Sequence, residues 1–393
     1  MGLCLGKTAS SSPWPHLPPE IAGLILACLP SHDDRISFGA VCRNWRFAAQ
    51  QQRPILPPAM PWISLGGGAY QSITDGKVRR TGRAVVSFGS RLMYEHRGQF
   101  YLRDPSLSEI EIPRHYHRCT GGCDDGGAHD PCATAEALRL IGTAGIGNAM
   151  HKVVVCSSSL VAAIVYPAVG RSDAVFCFAF FRPGATSQPS WAICTPVHHY
   201  NYKDMVLYRE KIFALSLCEG PFVHELGQPC HAERIIKNSP PPPPGIDTMA
   251  VFPAVVKHYM LVSSDGRKLL MARWNLPPGS QMSLQVFEAD LERREWTEVK
   301  DLDGRVLFLS MTCSRALAGS STELYDEGFR GGNRVFILGI DWALEQARMD
   351  NSVDGVPSYC VYDMMSGKLN LVSLGRVPPT MRNPTSEWFF PSE

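Results

Sequence analysis

The chain has 393 residues, 45% of them hydrophobic and 19% charged, and its 38 lysines and arginines balance 37 aspartates and glutamates. This length exceeds one ordinary domain and suits a small module joined to a large one. The balanced charge argues against bulk electrostatic binding of nucleic acid, which needs a basic face. No apolar run approaches the roughly 20 residues of a membrane-spanning helix, which argues against a membrane protein.

Thirteen cysteines are scattered singly through apolar stretches, for example at Cys156, Cys177 and Cys360. Free cysteine behaves as a small buried hydrophobe, and a chain of this size needs no disulfides to stabilise its core. The number of cysteines is odd, and the sequence shows no secretory signal pattern at its start. We therefore expect a reducing compartment, either the cytoplasm or the nucleus.

A helix is predicted after a flexible N-terminal tail of residues 1–13. Pro18 and Pro19 suit its first turn, where missing N–H groups cost nothing, and Pro30 ends it. Six apolar residues at spacings of three and four predict one apolar stripe along it: Leu17, Ile21, Leu24, Ile25, Cys28 and Leu29.

Further helical periodicity follows Ser31, which precedes the acidic Asp34 by three residues and so predicts a helix cap. The next apolar positions are Ile36, Phe38, Val41 and Trp45. A proline-rich linker is predicted over residues 53–62. Three short helices bury too little surface to be stable alone, so an apolar face on them indicates a partner.

Residues 14–52 resemble the F-box, a helical module, in the order and spacing of several short segments. These are Leu17-Pro18-Pro19-Glu20-Ile21, Ile25-Leu26, Leu29-Pro30, Asp33-Asp34-Arg35 and Val41-Cys42-Arg43-Asn44-Trp45-Arg46. The resemblance implies binding to the small adaptor subunit of SCF-type ubiquitin ligases and, through it, to cullin. By the same analogy, the adaptor-binding or supporting residues are Leu17, Pro18, Ile21, Ile25, Leu29, Val41, Trp45 and Arg46.

Short apolar runs separated by turn residues fill residues 63–380, and β-branched and aromatic residues dominate them. The predicted strands are 84–88, 153–156, 160–166, 174–181, 205–208, 212–217, 259–262, 269–274, 284–287, 306–309, 335–340 and 359–362. Hairpins are predicted around Ser264-Asp265-Gly266-Arg267 and Met365-Ser366-Gly367-Lys368. Many strands with scarce helices indicate a mainly β fold, and a closed β-propeller-like domain leaves only short, protected edges.

No internal repeat is strong enough to give the number of blades. Residues 381–393 are expected to form a C-terminal tail. Segments around Asp204–Leu215, Tyr259–Ser264, Gln285–Asp290, Gly304–Leu309 and Gly331–Ile337 are similar to plant F-box proteins, including F-box/kelch-like ones, whose C-terminal domain has no assigned function. The likeness covers residues 60–375 and supports the propeller-like interpretation.

A cluster near the middle of the chain has some character of a zinc site. It contains Cys119, Cys123 and Cys132, together with His115, His117 and His129. Its first cysteine pair is spaced C-x3-C and its second pair is incomplete, whereas zinc sites use short paired spacings. The glycine-rich surroundings favour a loop, so we predict no metal and keep these cysteines as weak candidates.

No catalytic or cofactor-binding pattern is present. His198-His199-Tyr200 and His224-Glu225 lack a nucleophile elbow, an H-E-x-x-H motif or paired carboxylates, and we interpret both as loop residues. The preferred function is a non-catalytic substrate receptor whose propeller recruits a protein target. Two alternatives stay open: a propeller that binds a small molecule or acts as a hydrolase, with histidines lining its channel, and an F-box regulatory protein that acts outside a ligase.

Overall fold

A computed structural model gives the structure of the protein. It describes residues 14, 17–29, 31–52, 56, 59–80, 84–97, 99–103, 109–113, 115–118, 150–165, 177–184, 190–194, 202–216, 219–229, 231–241, 255–276, 283–318, 332–338, 357–373 and 387–391. Within these ranges, three helices precede a set of β-sheets, which confirms the predicted mainly β class. None of the described helices is long and apolar enough to cross a membrane.

The helices are α1 (Pro19–Ala27), α2 (His32–Ala40) and α3 (Arg43–Gln52). Pro18 stands at the N-cap of α1 and Pro19 at its first position, as the sequence predicts. Ser31 stands at the N-cap of α2, but its side chain makes no capping hydrogen bond. The start of α2 is favoured instead by Asp33 and Asp34, whose charges complement the helix dipole.

The buried face of α1 differs from the predicted stripe. Ala22 and Leu26 are the buried residues, whereas Ile21 and Leu24 are exposed. The segment PEIAGLILA is apolar on nearly every side. Periodicity alone therefore does not determine which side faces the core.

The first half of the described chain contains sixteen strands. They are β1 (Trp62–Gly66), β2 (Ala69–Ser72), β3 (Val78–Arg80), β4 (Ala84–Phe88), β5 (Arg91–His96), β6 (Gln99–Arg103), β7 (Ile110–Ile112), β8 (His115–Arg118), β9 (Met150–Ser157), β10 (Leu160–Val165), β11 (Cys177–Phe181), β12 (Ser190–Cys194), β13 (Tyr202–Tyr208), β14 (Lys211–Ser216), β15 (Pro221–Glu225) and β16 (Ala232–Arg234).

Ten more strands follow among the described residues. They are β17 (Val255–Val262), β18 (Leu269–Leu276), β19 (Ser283–Asp290), β20 (Glu295–Val299), β21 (Arg305–Leu309), β22 (Arg315–Ala318), β23 (Arg334–Ile337), β24 (Pro357–Asp363), β25 (Leu369–Ser373) and β26 (Glu387–Phe389). Both predicted hairpins are confirmed: β17 pairs with β18, and β24 pairs with β25.

The described strands form six sheets, which are the blades of a propeller. Their strand orders are β26-β1-β2-β3 (blade 1), β4-β5-β6-β7 (blade 2), β9-β10-β11-β12-β8 (blade 3), β13-β14-β15-β16 (blade 4), β17-β18-β19-β20 (blade 5) and β22-β21-β23-β24-β25 (blade 6). The first strand of each order contacts the corresponding strand of the next blade, from β26 through β4, β9, β13 and β17 to β22. These six strands therefore surround the axis.

Blade 1 closes the ring with a strand from the C-terminal end. β26 pairs with β1, opposing Trp62 with Phe389. Trp388 is fully buried, and its indole donates to the Leu309 carbonyl of blade 6 at 2.9 Å. The prediction that residues 381–393 form only a tail is wrong for this strand, because it supplies the inner edge of the first blade.

Two blades depart from a simple meander. β23 runs parallel to β21, which places β22 at the inner edge of blade 6. β8 adds to blade 3 in parallel with β12. The apolar core lies between neighbouring blades; one cluster, for example, joins Phe88 and Met93 of blade 2 to Val161 and Trp191 of blade 3. A closed ring of this kind leaves few exposed sheet edges.

Candidate functional site

The three helices have a small core of their own. Its buried residues are Ala22, Leu26, Phe38 and Ala48, and its partly buried ones are Leu17, Ile25, Leu29, Trp45, Ala49 and Leu56. Phe38 and Trp45 stack with ring centroids 4.5 Å apart. The buried Arg35 donates from Nε to the Leu29 carbonyl at 2.9 Å, which ties α2 to the end of α1.

The outside of this helical module carries an unusual share of exposed apolar surface. Six of the ten exposed large apolar side chains among the described residues belong to it: Trp14 (61% exposed), Ile21 (44%), Leu24 (66%), Ile36 (56%), Val41 (60%) and Phe47 (60%). A concentration of this kind marks an interaction surface, whereas single exposed apolar residues are normal. We call these six residues the apolar docking set.

The predicted adaptor-binding residues divide into two groups. Pro18, Ile21, Val41 and Arg46 are exposed, whereas Leu17, Ile25, Leu29 and Trp45 lie partly buried in the core of the module. Arg46 donates from Nε to the Gly39 carbonyl at 3.2 Å, which leaves its guanidinium at the surface. Their role in adaptor binding stays a prediction.

Sequence reasoning did not assign four exposed members of the docking set to the adaptor: Trp14, Leu24, Ile36 and Phe47. Leu24 and Ile36 fall on the periodic apolar positions, so pattern analysis assigns them to the core. Phe47 lies one residue from Ala48, which is buried. The sequence signal for Phe47 is a bulky aromatic residue next to a buried position of a short helix, which places it on the outer side of that helix.

Among the described residues, Arg79 and Trp62 of blade 1 contact the helical module. Arg79 on β3 forms an ion pair with Asp33 in the first turn of α2. It also binds both carboxylate oxygens of Asp75, at 2.8 and 3.2 Å, and holds the pKa of Asp75 well below its ordinary value. The Arg79 guanidinium lies 5.4 Å from the ring centroid of Trp62, and His32 of α2 meets the same ring edge-on at 5.8 Å.

A buried ion pair joins three blades near the axis. Lys152 of blade 3 contacts Asp204 of blade 4, and both side chains are almost fully buried. Asp204 also accepts from the backbone N–H groups of Met205 and, in blade 5, Met260, each at 2.7 Å. Burial raises the pKa of Asp204, although these partners stabilise its charged form. Asp204 thus accepts hydrogen bonds from N–H groups of two neighbouring inner strands, β13 and β17.

A second buried carboxylate joins blades 1, 2 and 6. Glu387 on β26 accepts from the Thr312 N–H at 3.1 Å and also contacts its hydroxyl, which lies 3.1 Å from the Ser87 carbonyl oxygen of blade 2. Burial raises the pKa of Glu387 to about 7. The arrangement holds the closing strand in place.

The axis of the propeller contains a cavity of about 670 Å³ to which every blade contributes lining residues. No histidine of the described residues lines it. His224 is instead a buried residue of β15, stacked on Phe178 at 4.2 Å, and burial lowers its pKa to about 4. The loop interpretation of His224-Glu225 is therefore wrong, and His198-His199-Tyr200 lies outside the described residues.

The weak metal candidates Cys119, Cys123 and Cys132 lie outside the described residues. Within the described part of the chain, no three His, Cys, Asp or Glu side chains are grouped as metal ligands would be.

Comparison with known proteins identifies both parts of the chain. A family model for the KIB1-4 β-propeller matches residues 70–363, and an F-box-like model matches residues 14–53. No curated protein matches the chain. Among solved structures, Cellvibrio cellulosa alpha-L-arabinanase is 11% identical with a TM-score of 0.27, over 73% of this chain and 92% of that one, a likeness too low to carry an argument.

Proposed function

The chain belongs to the KIB1-4 β-propeller family and carries an F-box-like segment ahead of the propeller, and from this premise we propose that it is a substrate-receptor subunit of an SCF-type cullin-RING ubiquitin ligase. In this proposal the helical module binds the adaptor and, through it, cullin, while the propeller holds a protein target. The receptor does no bond chemistry. It raises the effective concentration of the target at the ligase.

The observation that carries the proposal is the apolar docking set. Among its described residues, the module buries four apolar residues in its core and exposes six large apolar side chains. Their exposure to water is unfavourable by roughly 25 cal/mol per Å² of apolar surface, and a partner that covers them removes this cost. The F-box-like match over the same residues supports the small adaptor as that partner.

The ion pair and ring contacts of Arg79 support the second half of the proposal. A receptor must present its target at a defined position relative to the ligase. Arg79 links α2 to blade 1 through Asp33, and Trp62 continues this contact into a blade 1 cluster with Tyr70 and Phe389. The module is therefore attached to the propeller by side-chain contacts as well as by its linker.

The proposed compartment is the cytoplasm or the nucleus. The six cysteines among the described residues whose state is assigned are free thiols, at Cys28, Cys42, Cys156, Cys194, Cys313 and Cys360. Burial raises the pKa of three of them, to about 12 for Cys156, about 11 for Cys313 and about 12 for Cys360. Such thiols are packed as small apolar groups, which suits a reducing compartment.

Adaptor binding by purified protein tests the proposal. Leu24→Asp combined with Val41→Asp places two charges on exposed positions, so the core of the module stays intact. We expect adaptor binding to weaken by about 100-fold or more, because central apolar contacts dominate such interfaces. Leu17→Ala is a less useful variant, since Leu17 packs in the core of the module.

The matched control is Met365→Asp combined with Leu371→Asp. These residues are 70% and 52% exposed, on a hairpin of blade 6. The control should bind the adaptor as the wild type does. Failure of the wild type to bind the adaptor, or equal loss in both double variants, contradicts the proposal.

A further inference from the structure

The interface between blades 4 and 5 is apolar in one half and polar in the other. In the apolar half, Leu269 and Met271 of β18 belong to one buried cluster with Phe213 of β14. Because side chains alternate along a strand, Arg273 and Asn275 continue the same face of β18 toward blade 4. The polar half of the interface therefore begins at Arg273.

A buried cluster of charges occupies the start of this polar half. Nη1 of Arg273 lies 3.0 and 3.1 Å from the two carboxylate oxygens of Glu219 in blade 4, and Nε2 of His258 on β17 lies 2.7 Å from one of them. Nη2 of Arg273 donates to Gln285 of β19 at 2.8 Å and to the Pro241 carbonyl at 2.6 Å. The charged groups in this part of the interface are therefore paired with one another.

The next residue on this face of β18 is an asparagine whose amide lacks a partner. Asn275 is fully buried, at 0% exposure, and neither its amide oxygen nor its amide nitrogen has a hydrogen-bond partner among the described residues. A buried amide left in this state lowers the ratio of folded to unfolded protein by roughly tenfold or more. The side chain therefore requires a ligand that both donates and accepts a hydrogen bond.

The strands on either side of Asn275 differ in what they offer to such a ligand. Ser283 of β19 opposes Asn275 in one strand pairing, and Val256 of β17 opposes it in the other. Directly opposed side chains share a face, with their Cβ atoms roughly 5 Å apart. Ser283 is only partly buried, so its hydroxyl lies between the asparagine and solvent. The serine side is therefore the polar side of Asn275.

Two more atoms on this face are buried without a hydrogen-bond partner among the described residues. They are Nδ1 of His258 and Nε of Arg273. Both residues share the face of Asn275, because His258 opposes Arg273 in the strand pairing and Arg273 precedes Asn275 by two positions. The demand for polar partners thus extends along the polar half of the interface.

We propose that ordered water is bound between blades 4 and 5, with one molecule held by the amide of Asn275 on the side of Ser283. Water is the smallest ligand that both donates and accepts. Internal water molecules make about three hydrogen bonds each to buried polar groups that lack other partners. The site does not depend on the ligase role of the chain.

Paired substitutions at Asn275 test this site by urea denaturation of the full chain. Asn275→Thr keeps a group that donates and accepts, whereas Asn275→Val has nearly the same shape as that variant without the hydroxyl. With water at the site, we expect the folded-to-unfolded ratio of Asn275→Val to be about threefold or more below that of Asn275→Thr. A dry interface gives the opposite order, because a buried hydroxyl without a partner is unfavourable.

The matched control is Asn370, which is exposed on β25. The ratios of Asn370→Thr and Asn370→Val should differ by less than about twofold. Magnetic relaxation dispersion of the water signal, which detects long-lived internal water, is the second readout. Asn275→Val should lose at least one such molecule relative to the wild type, and Asn275→Thr should keep it. Equal or greater stability of Asn275→Val than of Asn275→Thr, the same gap in the Asn370 pair, or unchanged long-lived water in Asn275→Val overturns the proposal.

Discussion

The ion pair of Lys152 and Asp204 is buried, so its contribution to stability can be compared with that of an exposed ion pair. The buried pair joins blades 3, 4 and 5, and its side chains are 6% and 2% exposed. Lys152→Met leaves the Asp204 carboxylate buried without its cation. We expect a loss of about 3 to 5 kcal/mol in the free energy of unfolding, measured by urea denaturation.

The control for that prediction is the exposed pair of Lys211 and Glu225, 46% and 56% exposed and 2.7 Å apart. Lys211→Met should change the free energy of unfolding by about 0 to 1 kcal/mol. Similar losses in both variants would show that the Lys152 pair does not stabilise the junction of the blades.

The raised pKa of Glu387, on the closing strand β26, predicts that the stability of the protein depends on pH. Burial raises its pKa from 4.5 to about 7. Between these pH values the folded chain binds more protons than the unfolded chain, so this contribution to stability is complete at low pH and is lost as the pH rises through about 7. In the wild type, the free energy of unfolding should therefore fall by on the order of 2 kcal/mol between pH 5 and pH 8 through this group, and Glu387→Gln should not show this fall.

The measurement is urea denaturation of wild type and Glu387→Gln across that pH range. His151 and His224 titrate in the opposite sense, because burial lowers the pKa of each to about 4 and stability falls as the pH drops below about 6.5. Because both proteins contain these histidines, their contribution cancels when the free energy of unfolding of Glu387→Gln is subtracted from that of the wild type. Glu111→Gln, an exposed change on β7, is the control. An unchanged pH dependence in Glu387→Gln contradicts the assignment.

At the scale of elements, Arg79 provides a test of how the helical module is attached. Arg79→Gln removes its contacts with Asp33 and Asp75 while leaving the core of each part intact. Surface ion pairs contribute little to global stability, about 0 to 1 kcal/mol each. The effect should instead appear as a broader distance distribution between spin labels at positions 51 and 366.

The neighbouring Arg80→Gln is the control, because Arg80 is exposed at the end of β3. It should keep the narrow distribution of the wild type. If Arg79→Gln also keeps that distribution, the arginine does not fix the module against blade 1.

Much of the strand content is predictable from the sequence because short apolar runs buried on both faces are visible locally. The predicted strand at residues 84–88 coincides with β4, and the predicted turns join β17 to β18 and β24 to β25. The sequence does not predict β26, because a strand of three residues is too short to show a periodic pattern. Its pairing partner β1 also lies more than three hundred positions earlier. The parallel pairing of β23 with β21 in blade 6 has no local signal either, because 28 positions separate Val306 from its partner Arg334.

The candidate surfaces were only partly predictable. Half of the expected adaptor-binding residues lie exposed, but α1 is apolar on nearly all sides, so the pattern does not separate Ile21 and Leu24 from the buried Ala22 and Leu26. The axial cavity has no local pattern, because its lining residues lie far apart in the sequence, from Phe88 to Phe390.

On the scale of the whole molecule, the chain combines an F-box-like helical module and a closed propeller. The described residues give the module its exposed apolar set, while the buried contacts of Asp204 and Glu387 tie the blades into one ring. A rigid ring presents its loops in a fixed arrangement, which suits recognition of a protein target by shape. The family match covers residues 70–363 of the propeller, and the F-box-like match covers the module.

The central claim is that the module connects whatever the propeller binds to a ubiquitin ligase. Affinity purification from cells with the proteasome blocked, comparing wild type with Leu24→Asp plus Val41→Asp, tests it most directly. We predict that only the wild type captures adaptor and cullin, and that proteins bound by both carry ubiquitin only with the wild type. Absence of adaptor and cullin from the wild-type sample, or equal ubiquitin on proteins bound by both, would contradict the claim.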